Sequence, residues 1–251
     1  MASNIERFSN RVANYVKYRP SYPPEVLDVF RKQMGMMPHS AIADIGSGTG
    51  ISTRLFLENG NSVYGVEPND GMRQAAREFL KDFPNFRSIN GTAENTNLPD
   101  DSVHIVIAAQ AFHWFDPEKT RAEFRRILKP DGYVALMWNI RQMDSTPFLR
   151  DYEQFLLRFG TDYKFVRHEN ITSEDIEAFF QRPVEMASYR NVQVLDLDGL
   201  KGRALSASYV PDEAQPIFPQ MIDELSVLFE KYQSQGKIEI IYDTNIYYTK
   251  F

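Results

Sequence analysis

The chain has 251 residues, a length that suits one α/β domain with an insertion. Hydrophobic residues make up 43% and charged residues 25% of the chain, a composition that excludes a largely disordered protein. It has no cysteine and four histidines, which excludes disulfide frameworks, cysteine-rich zinc sites, iron–sulfur clusters and thiol nucleophiles. We therefore expect a site without a metal ion.

The formal net charge of −6 provides no broad attraction to the phosphate backbones of nucleic acids. The first twenty residues carry scattered charges and no apolar core, which does not match a secretory signal. No apolar stretch approaches the roughly 18 residues that a membrane helix needs. We expect a cytoplasmic protein, a monomer or a homodimer, that binds neither nucleic acid nor a membrane.

Short apolar runs alternate with amphipathic segments between residues 41 and 140, as in βαβ units around a parallel sheet. Residue types that begin helices precede each amphipathic segment. The predicted strands are Ala41 to Ile45, Ser62 to Val66, Phe86 to Asn90, Val103 to Ala109 and Tyr133 to Trp138. The predicted helices are Ile51 to Asn59, Gly71 to Asp82 and Asp116 to Leu128.

The alternation stops after Asn139, and the irregular stretch 141–213 is too long for a simple connection. We interpret this stretch as an insertion that forms a cap over the site. An amphipathic helix is predicted at Met221 to Tyr232. The chain is predicted to end in a hairpin, with strands at Lys237 to Tyr242 and Ile246 to Phe251.

A glycine-rich turn, Gly46-Ser47-Gly48-Thr49-Gly50, separates the first predicted strand from the first helix, where backbone can approach a nucleotide-like ligand closely. The dinucleotide pattern G-x-G-x-x-G would place its third glycine at position 51, which is Ile51. A P-loop is excluded because no Gly-Lys-Ser/Thr follows the turn. Glu67 ends the second predicted strand, 19 residues after Gly48, where a carboxylate can accept hydrogen bonds from both hydroxyls of a ribose.

These motifs resemble those of the class I S-adenosylmethionine-dependent methyltransferases. The segment Ala41 to Gly50 is similar to motif I of that family, and Val66-Glu67-Pro68-Asn69 is similar to the acidic motif that follows. Gly91 to Glu94 resembles the loop that borders the adenine, and Arg126 to Gly132 resembles the passage into the fifth strand. A second resemblance, to the trans-aconitate methyltransferase-like small-molecule branch, rests on Tyr15-x-x-Tyr18-Arg19-Pro20-x-Tyr22-Pro23 and Phe112-His113-Trp114-Phe115.

The resemblance implies a Rossmann-like seven-stranded, mostly parallel sheet with a terminal antiparallel strand, and S-adenosylmethionine as the cofactor. It implies an acceptor pocket formed by the N-terminal segment and the insertion after the fifth strand. The expected division is 1–40, a segment closing over the site; 41–140, the cofactor-binding core; 141–213, the cap insertion for the acceptor; and 214–251, the final helix and terminal strands.

Candidate site residues follow from the motifs together with the resemblance. The cofactor-binding candidates are Tyr15, Arg19, Asp44, Gly46, Ser47, Gly48, Glu67, Pro68, Met72, Ala93, Glu94, Gln110 and Ala111. The acceptor-pocket candidates are Tyr18, Tyr22, His113, Trp114 and Arg141, and His113 is also the candidate general base. Structural roles compete with several of these roles, since Asp44 can simply brace the turn and Met72 can belong to the core.

The function favoured by the sequence is methyl transfer from S-adenosylmethionine to an O, N or carboxylate nucleophile of a small molecule. One alternative is an NAD-dependent oxidoreductase, which uses the same strand–turn–helix arrangement. Another is a catalytically silent cofactor-binding protein of the same fold.

Overall fold

The computed structural model describes residues 16–161, 163 and 172–251. A seven-stranded sheet with the order β3-β2-β1-β4-β5-β7-β6 forms the centre of this structure. All neighbouring strands from β3 to β5 pair in parallel, whereas β7 is antiparallel to both of its neighbours. The strands are β1 (Ala41–Ile45), β2 (Ser62–Val66), β3 (Phe86–Ile89), β4 (Val103–Ala109), β5 (Leu128–Arg141), β6 (Glu185–Leu195) and β7 (Ile238–Lys250). The predicted Rossmann-like architecture is confirmed.

Helices connect and cover these strands. Two of the predicted N-terminal signals act as caps: the side chain of Asn69 accepts a hydrogen bond from Met72 N, and that of Asp116 accepts one from Lys119 N. The α-helices described are α1 (Val26–Lys32), α2 (Ile51–Glu58), α3 (Asp70–Phe79), α4 (Pro117–Ile127), α5 (Pro147–Phe159), α6 (Ser173–Phe180), α7 (Leu197–Leu205) and α8 (Phe218–Tyr232), and a short 3₁₀ helix spans Phe112–Trp114.

The central strands are apolar on both faces because helices cover the sheet from both sides. Alternate residues of β4 enter different clusters: Ile105 and Ile107 belong to one, Val106 and Ala108 to the other. A third cluster joins α5, α7, α8 and the first half of β7. Packed helices therefore support the parallel strands on both faces, and a further helical layer lies beside β5 and β7.

The expected terminal hairpin is wrong. Residues Ile238–Lys250 form one unbroken strand, and the expected turn residue Thr244 is fully buried and donates a hydrogen bond to Asn139 Oδ1 at 2.5 Å. Strands β5 and β6 flank β7 along its length, so its backbone groups are paired on both sides. These partners are distant in sequence, which is why local turn residues were misleading.

Part of the expected cap insertion lies in the sheet itself. Strand β6 falls within residues 141–213 and forms the edge of the sheet beside β7. Strand β5 is also longer at both ends than the predicted Tyr133 to Trp138, because Leu128 pairs with Val103 of β4 and its last residues, to Arg141, pair with β7. The four-part division of the chain stays a prediction, and helices α5, α6 and α7 supply the remaining regular structure of the insertion.

None of the helices in the described part of the chain combines the length and apolarity that crossing a lipid bilayer requires.

Gly50 begins α2 at φ +88°, where a Cβ would lie 2.6 Å from Leu80 Cδ1 in the core. We expect Gly50→Ala to lower the free energy of unfolding by about 2–5 kcal/mol, since a left-handed backbone costs about 1–2 and overpacking about 1–3 kcal/mol. Gly60→Ala is the matched control, because Gly60 has φ +93° and nothing within 4 Å of its Cβ position. Urea unfolding measures both variants, and equal losses would contradict a packing role for Gly50.

Candidate active site

A cavity of about 400 Å³ opens at the carboxyl ends of the parallel strands. Its walls come from the segments after β1, β2, β3 and β4 and from the end of β5. Strand β1 lies where the strand order reverses, the position at which open α/β sheets bind ligands. The structure thus brings most predicted site residues together on one wall: Arg19, Tyr22, Gly46, Ser47, Gly48, Glu67, Pro68, Met72, Ala93, Glu94, Gln110, Ala111, His113, Trp114 and Arg141.

Three candidates are not on this wall. Tyr15 lies outside the described residues. Tyr18 is not a wall residue, and its carbonyl oxygen accepts a hydrogen bond from Gln193 Nε2 at 2.8 Å. Asp44 is fully buried beneath the glycine turn. Their roles in binding remain predictions.

The glycine turn follows β1 and is held against the end of β2. Gly46 N and Ser47 N both donate to Val66 O, at 2.9 and 3.2 Å. Gly46 and Gly48 have φ values of +68° and +54°, a conformation that favours glycine. A Cβ at Gly46 would lie 2.6 Å from Ala111 Cβ, so protein packing requires this glycine. At Gly48 no protein atom lies within 4 Å of the Cβ position, so the open cavity is what this glycine faces.

Glu67 joins the glycine turn to the start of α3. Its Oε2 accepts from Gly48 N at 3.0 Å, and its Oε1 accepts from Asn69 N at 2.9 Å. Arg73 Nη1 donates to the carbonyl oxygen of Glu67 at 2.7 Å. Burial raises the pKa of the Glu67 carboxyl, against the two backbone hydrogen bonds and Arg73, which lower it. Because a carboxylate has about four acceptor positions, lone pairs remain for ligand hydroxyls.

Asp44 braces the turn from below. Its Oδ2 accepts from the hydroxyls of Ser52 and Thr53, both at 2.7 Å, which ties β1 to α2. Its Oδ1 is buried and has no hydrogen-bond partner. Desolvation raises the pKa of Asp44 to about 6, so at neutral pH an ionised carboxylate with an unused oxygen lies under the turn. Negative charge at this end of the cavity suits a cationic cofactor.

The loops after β2 and β3 form one end of the cavity. Met72 lies in the first turn of α3 and is 5% exposed, and Ala93 is 4% exposed. Glu94 Oε1 accepts a hydrogen bond from Asp116 N at 2.9 Å, which fastens the loop to the start of α4. These side chains provide apolar surface and a fixed carboxylate beside Glu67, a combination that suits an adenosine.

Gln110 follows β4 in a left-handed conformation, with φ +58°. Its backbone N–H donates to Met137 O at 2.9 Å and its Nε2 donates to Asn139 O at 3.2 Å. Its Oε1 is buried on the cavity wall without a hydrogen-bond partner. Strained backbone held by neighbouring groups is typical of functional sites, and here it aims an acceptor atom at the cavity.

His113 lies in the 3₁₀ helix, with its ring centroid 4.5 Å from that of Trp114. Desolvation lowers the pKa of His113 to about 4, so its imidazole is neutral at physiological pH. Trp114 is 39% exposed and lines the cavity mouth. A neutral imidazole beside an indole can accept a hydrogen bond or a proton, although the lowered pKa makes it a weak base.

Arg141 is on the wall, but its charge is already paired. Its guanidinium is ion-paired with Glu153 and donates to Tyr163 OH at 2.8 Å. Tyr163 OH in turn donates to Glu153 Oε2 at 2.7 Å. This triad fixes the end of β5 against α5, so Arg141 contributes shape and hydrogen bonding more than free positive charge.

Several wall residues were missed by sequence reasoning. They are Asn139, Tyr163, Arg203, Ser208, Tyr209 and Tyr242. Asn139 lies near the carboxyl end of β5. Open α/β sheets bind their ligands at the carboxyl ends of parallel strands, and this rule, which pointed to Glu67 and Gln110, could have found Asn139 as well. Arg203, Ser208 and Tyr209 belong to no motif, because α7 reaches the cavity only through tertiary packing.

Comparison with known proteins agrees with this geometry. A family model described as a methyltransferase domain matches residues 43–136. An uncharacterized methyltransferase of Mycobacterium tuberculosis is 34% identical over 190 residues, which are 75% of this chain and 73% of the relative. The chain belongs to the methyltransferase family. An uncharacterized methyltransferase-like protein of Schizosaccharomyces pombe is 28% identical over 246 residues, covering 96% of this chain and 94% of the relative.

Solved methyltransferase structures share the fold of this methyltransferase. A protein described as a methyltransferase from an antibiotic biosynthesis pathway of Anabaena variabilis has a TM-score of 0.64 and 26% identity, over 94% of this chain and 100% of the other. A type II methyltransferase structure from Anaeromyxobacter dehalogenans has a TM-score of 0.71 over 93% and 98%, at 22% identity, which shows likeness of fold.

The cofactor of this methyltransferase is S-adenosylmethionine, and the residues present fit it. The open space at Gly48 leaves room for close approach of the ligand to backbone. Glu67 would hold the ribose, the unpartnered Oε1 of Gln110 suits a positively charged group, and the apolar surface of Met72 suits the adenine. Within the described part of the chain, no cluster of three His, Asp or Glu side chains could hold a metal ion.

Glu67→Ala removes both the charge and the acceptor oxygens from the ribose end. We expect it to weaken S-adenosylhomocysteine binding by about 1–3 kcal/mol, or roughly 5- to 150-fold in Kd, measured by titration calorimetry. Glu58→Ala is the control, because Glu58 is half-exposed on α2 and pairs with Arg54. Unchanged affinity in Glu67→Ala would remove Glu67 from the site.

The buried carboxyl of Asp44 makes stability depend on pH. Because its pKa rises from 3.8 to about 6 on folding, the native state binds the proton more tightly than the unfolded chain, and stability falls as pH rises between those values. The loss amounts to about 3 kcal/mol at most. Urea unfolding without ligand at about pH 4.5 and about pH 7 measures about two-thirds of this loss, because the carboxyl of the unfolded chain is already mostly ionised at pH 4.5. Asp44→Asn should show a smaller pH-dependent loss, and an identical loss in both proteins would contradict the assignment.

Proposed function

We propose that this enzyme transfers the methyl group of S-adenosylmethionine to a nucleophile on a small molecule. One observation carries the proposal: the cavity continues beyond the residues that suit the cofactor, to Asn139 at the end of β5 and to Tyr242 on β7. A volume of about 400 Å³ lies in the range typical of small-ligand sites. The extra wall beyond β4 is thus suited to a second small ligand.

The N-terminal segment supports a small acceptor by covering the cavity. Arg19, Pro20 and Tyr22 are wall residues. Residues 19–21 are anchored at two points, because Arg19 Nη2 donates to Ser206 O at 3.0 Å and the Asn191 side chain donates to Ser21 O at 2.7 Å. Because these residues are hydrogen-bonded to the sheet and to the end of α7 and cover the cavity, an enclosed small-molecule acceptor is favoured over a macromolecular one.

Positioning accounts for most of the chemistry that this chain would perform. When bound, S-adenosylmethionine supplies an activated methyl group on a positively charged sulfur. Glu67, fixed by its hydrogen bond from Gly48 N, would hold the ribose end, and Gln110 and His113 line the same cavity. Holding two reactants in line in a water-poor pocket can contribute up to about 7–11 kcal/mol. The neutral imidazole of His113 can take a proton from an acceptor hydroxyl or amine, and a carboxylate acceptor would need no base.

The proposal also covers the branch of the family, the acceptor atom, the assembly and the location. We propose a member of the trans-aconitate methyltransferase-like branch that methylates an O, N or carboxylate nucleophile and is a monomer or a homodimer. We also propose a cytoplasmic location, which the cysteine-free composition supports. The oxidoreductase alternative is not favoured, because Ile51 replaces the third glycine of the dinucleotide pattern and the chain belongs to the methyltransferase family. A methyl-transfer assay distinguishes the proposed enzyme from the catalytically silent alternative.

Incubation of the full chain with S-adenosylmethionine labelled on the methyl group, in a small-molecule metabolite extract, tests the proposal. We expect label to appear in a low-mass product that mass spectrometry identifies. Glu67→Ala should abolish most of this transfer at limiting cofactor, and Glu58→Ala should leave it intact. No labelled product from any extract, with S-adenosylhomocysteine binding intact, would contradict the small-molecule assignment and favour the silent alternative.

A further inference from the structure

Arg203 is a buried cation on the wall of the cavity that no predicted motif contains. It lies on α7 with 8% of its surface exposed. Its Nε donates to Tyr242 OH at 3.1 Å. Tyr242 OH donates onward to Gln193 Oε1 at 3.3 Å, and Gln193 Nε2 is held by Tyr18 O at 2.8 Å. This chain of hydrogen bonds orients the guanidinium before any ligand arrives.

The charge of Arg203 has no carboxylate partner within the described part of the chain. Among the residues that the structure describes, no carboxylate forms an ion pair with Arg203, and no group accepts a hydrogen bond from its two terminal nitrogens. The side chains that interact with its charge are the phenols Tyr152, Tyr209 and Tyr242, and a phenol is neutral near pH 7. Burying an unpaired charge is costly, so this arrangement points to an anionic partner from outside the chain.

Arg141 provides the contrast within the same cavity. Arg141 also lines the cavity, but Glu153 neutralises its charge and Tyr163 OH accepts another of its hydrogen bonds. Arg141 is the arginine that the sequence analysis includes in the acceptor pocket, whereas the pairing pattern favours Arg203. A guanidinium with two free terminal nitrogens can bind a carboxylate through two parallel hydrogen bonds.

The position of Arg203 separates it from the ribose end of the site. Its hydrogen-bond partner Tyr242 is on β7, and Glu67 follows β2, four strand positions away in the sheet. Four spacings correspond to roughly 19 Å. Arg203 is therefore at the acceptor end, beside Tyr209 and the end of β5.

We propose that Arg203 is the specificity-determining residue of the acceptor subsite and binds a carboxylate of the methyl acceptor. The inference rests on the proposed function and narrows its substrate class to small carboxylic acids. Tyr242 and Gln193 are positioning residues, since they hold the guanidinium rather than touch the acceptor.

The first test measures binding and needs no turnover. The full chain, saturated with S-adenosylhomocysteine, is melted with a panel of mono-, di- and tricarboxylates and with their matching amides. We expect at least one carboxylate, and none of its amides, to raise the Tm of the wild type. Arg203→Met should abolish that shift, Arg203→Lys should retain part of it, and Arg190→Met is the matched control on exposed β6. If no carboxylate raises the wild-type Tm, or amides raise it equally, the inference is overturned.

The same variants exclude a role of Arg203 in cofactor binding or in folding alone. The Kd of S-adenosylhomocysteine should stay within about twofold of wild type in Arg203→Met. A large loss of this affinity would assign the guanidinium to the carboxylate of the cofactor and overturn the acceptor assignment. Arg203→Met could unfold the protein, and in that case the wild-type comparison of carboxylates with amides still decides.

The second test uses the labelled-methyl assay on extracts with blocked groups. One aliquot has its carboxylates converted to amides and another has its amines acetylated. We expect label transfer to disappear after amidation and to survive acetylation. With the identified acceptor, Arg203→Met should raise KM on the order of 30-fold or more and change kcat less, because the anion is bound before and during transfer. Transfer that survives amidation overturns the inference but leaves the proposed function standing, whereas binding of carboxylates without any transfer overturns the proposed function alone.

Discussion

Two carboxylates hold the glycine turn, and the rest of the site depends on them. Asp44 pins the start of α2 through Ser52 and Thr53, and Glu67 pins the backbone of Gly48 while linking it to the start of α3. The two acids are on neighbouring strands, so β1 and β2 position the turn jointly. Burial raises the pKa of both carboxyls, so holding the turn costs desolvation free energy.

Charge is distributed unequally along the cavity. Buried acids lie under the cofactor end, whereas the acceptor end has the half-buried Arg141, which Glu153 neutralises, and the buried Arg203, which no carboxylate among the described residues pairs with. Between them lie the strained backbone of Gln110 and the neutral ring of His113. This order places a cation-attracting region and an anion-attracting region at opposite ends of one continuous cavity. A cationic donor and an anionic acceptor would each be drawn to its own end.

Local patterns predicted the parallel core of the sheet accurately. The apolar runs of β1 and β4 gave strands with the predicted bounds, and the Asn69 cap was found where a helix-starting residue was expected. The side chains after these strands converge on the cavity because parallel strands end at one edge. The region beyond β5 was predicted less well. Asp243 to Asn245 were expected to form a turn but lie within β7, and Arg203 was not among the candidate residues.

The sequence by itself determined the parallel core, the glycine turn and the acidic residue after β2, since each rests on residues close in the chain whose backbone preferences and hydrophobic period act locally. Only the tertiary structure decided that β7 runs unbroken between β5 and β6, that α7 reaches the cavity, and which arginine keeps an uncompensated charge. Some of those outcomes depend on contacts between residues more than a hundred positions apart, such as Asn139 with Thr244. Others depend on whether the fold brings a carboxylate close to a guanidinium, as it does for Arg141. Burial and pairing are properties of neighbours in space, and no local pattern encodes them.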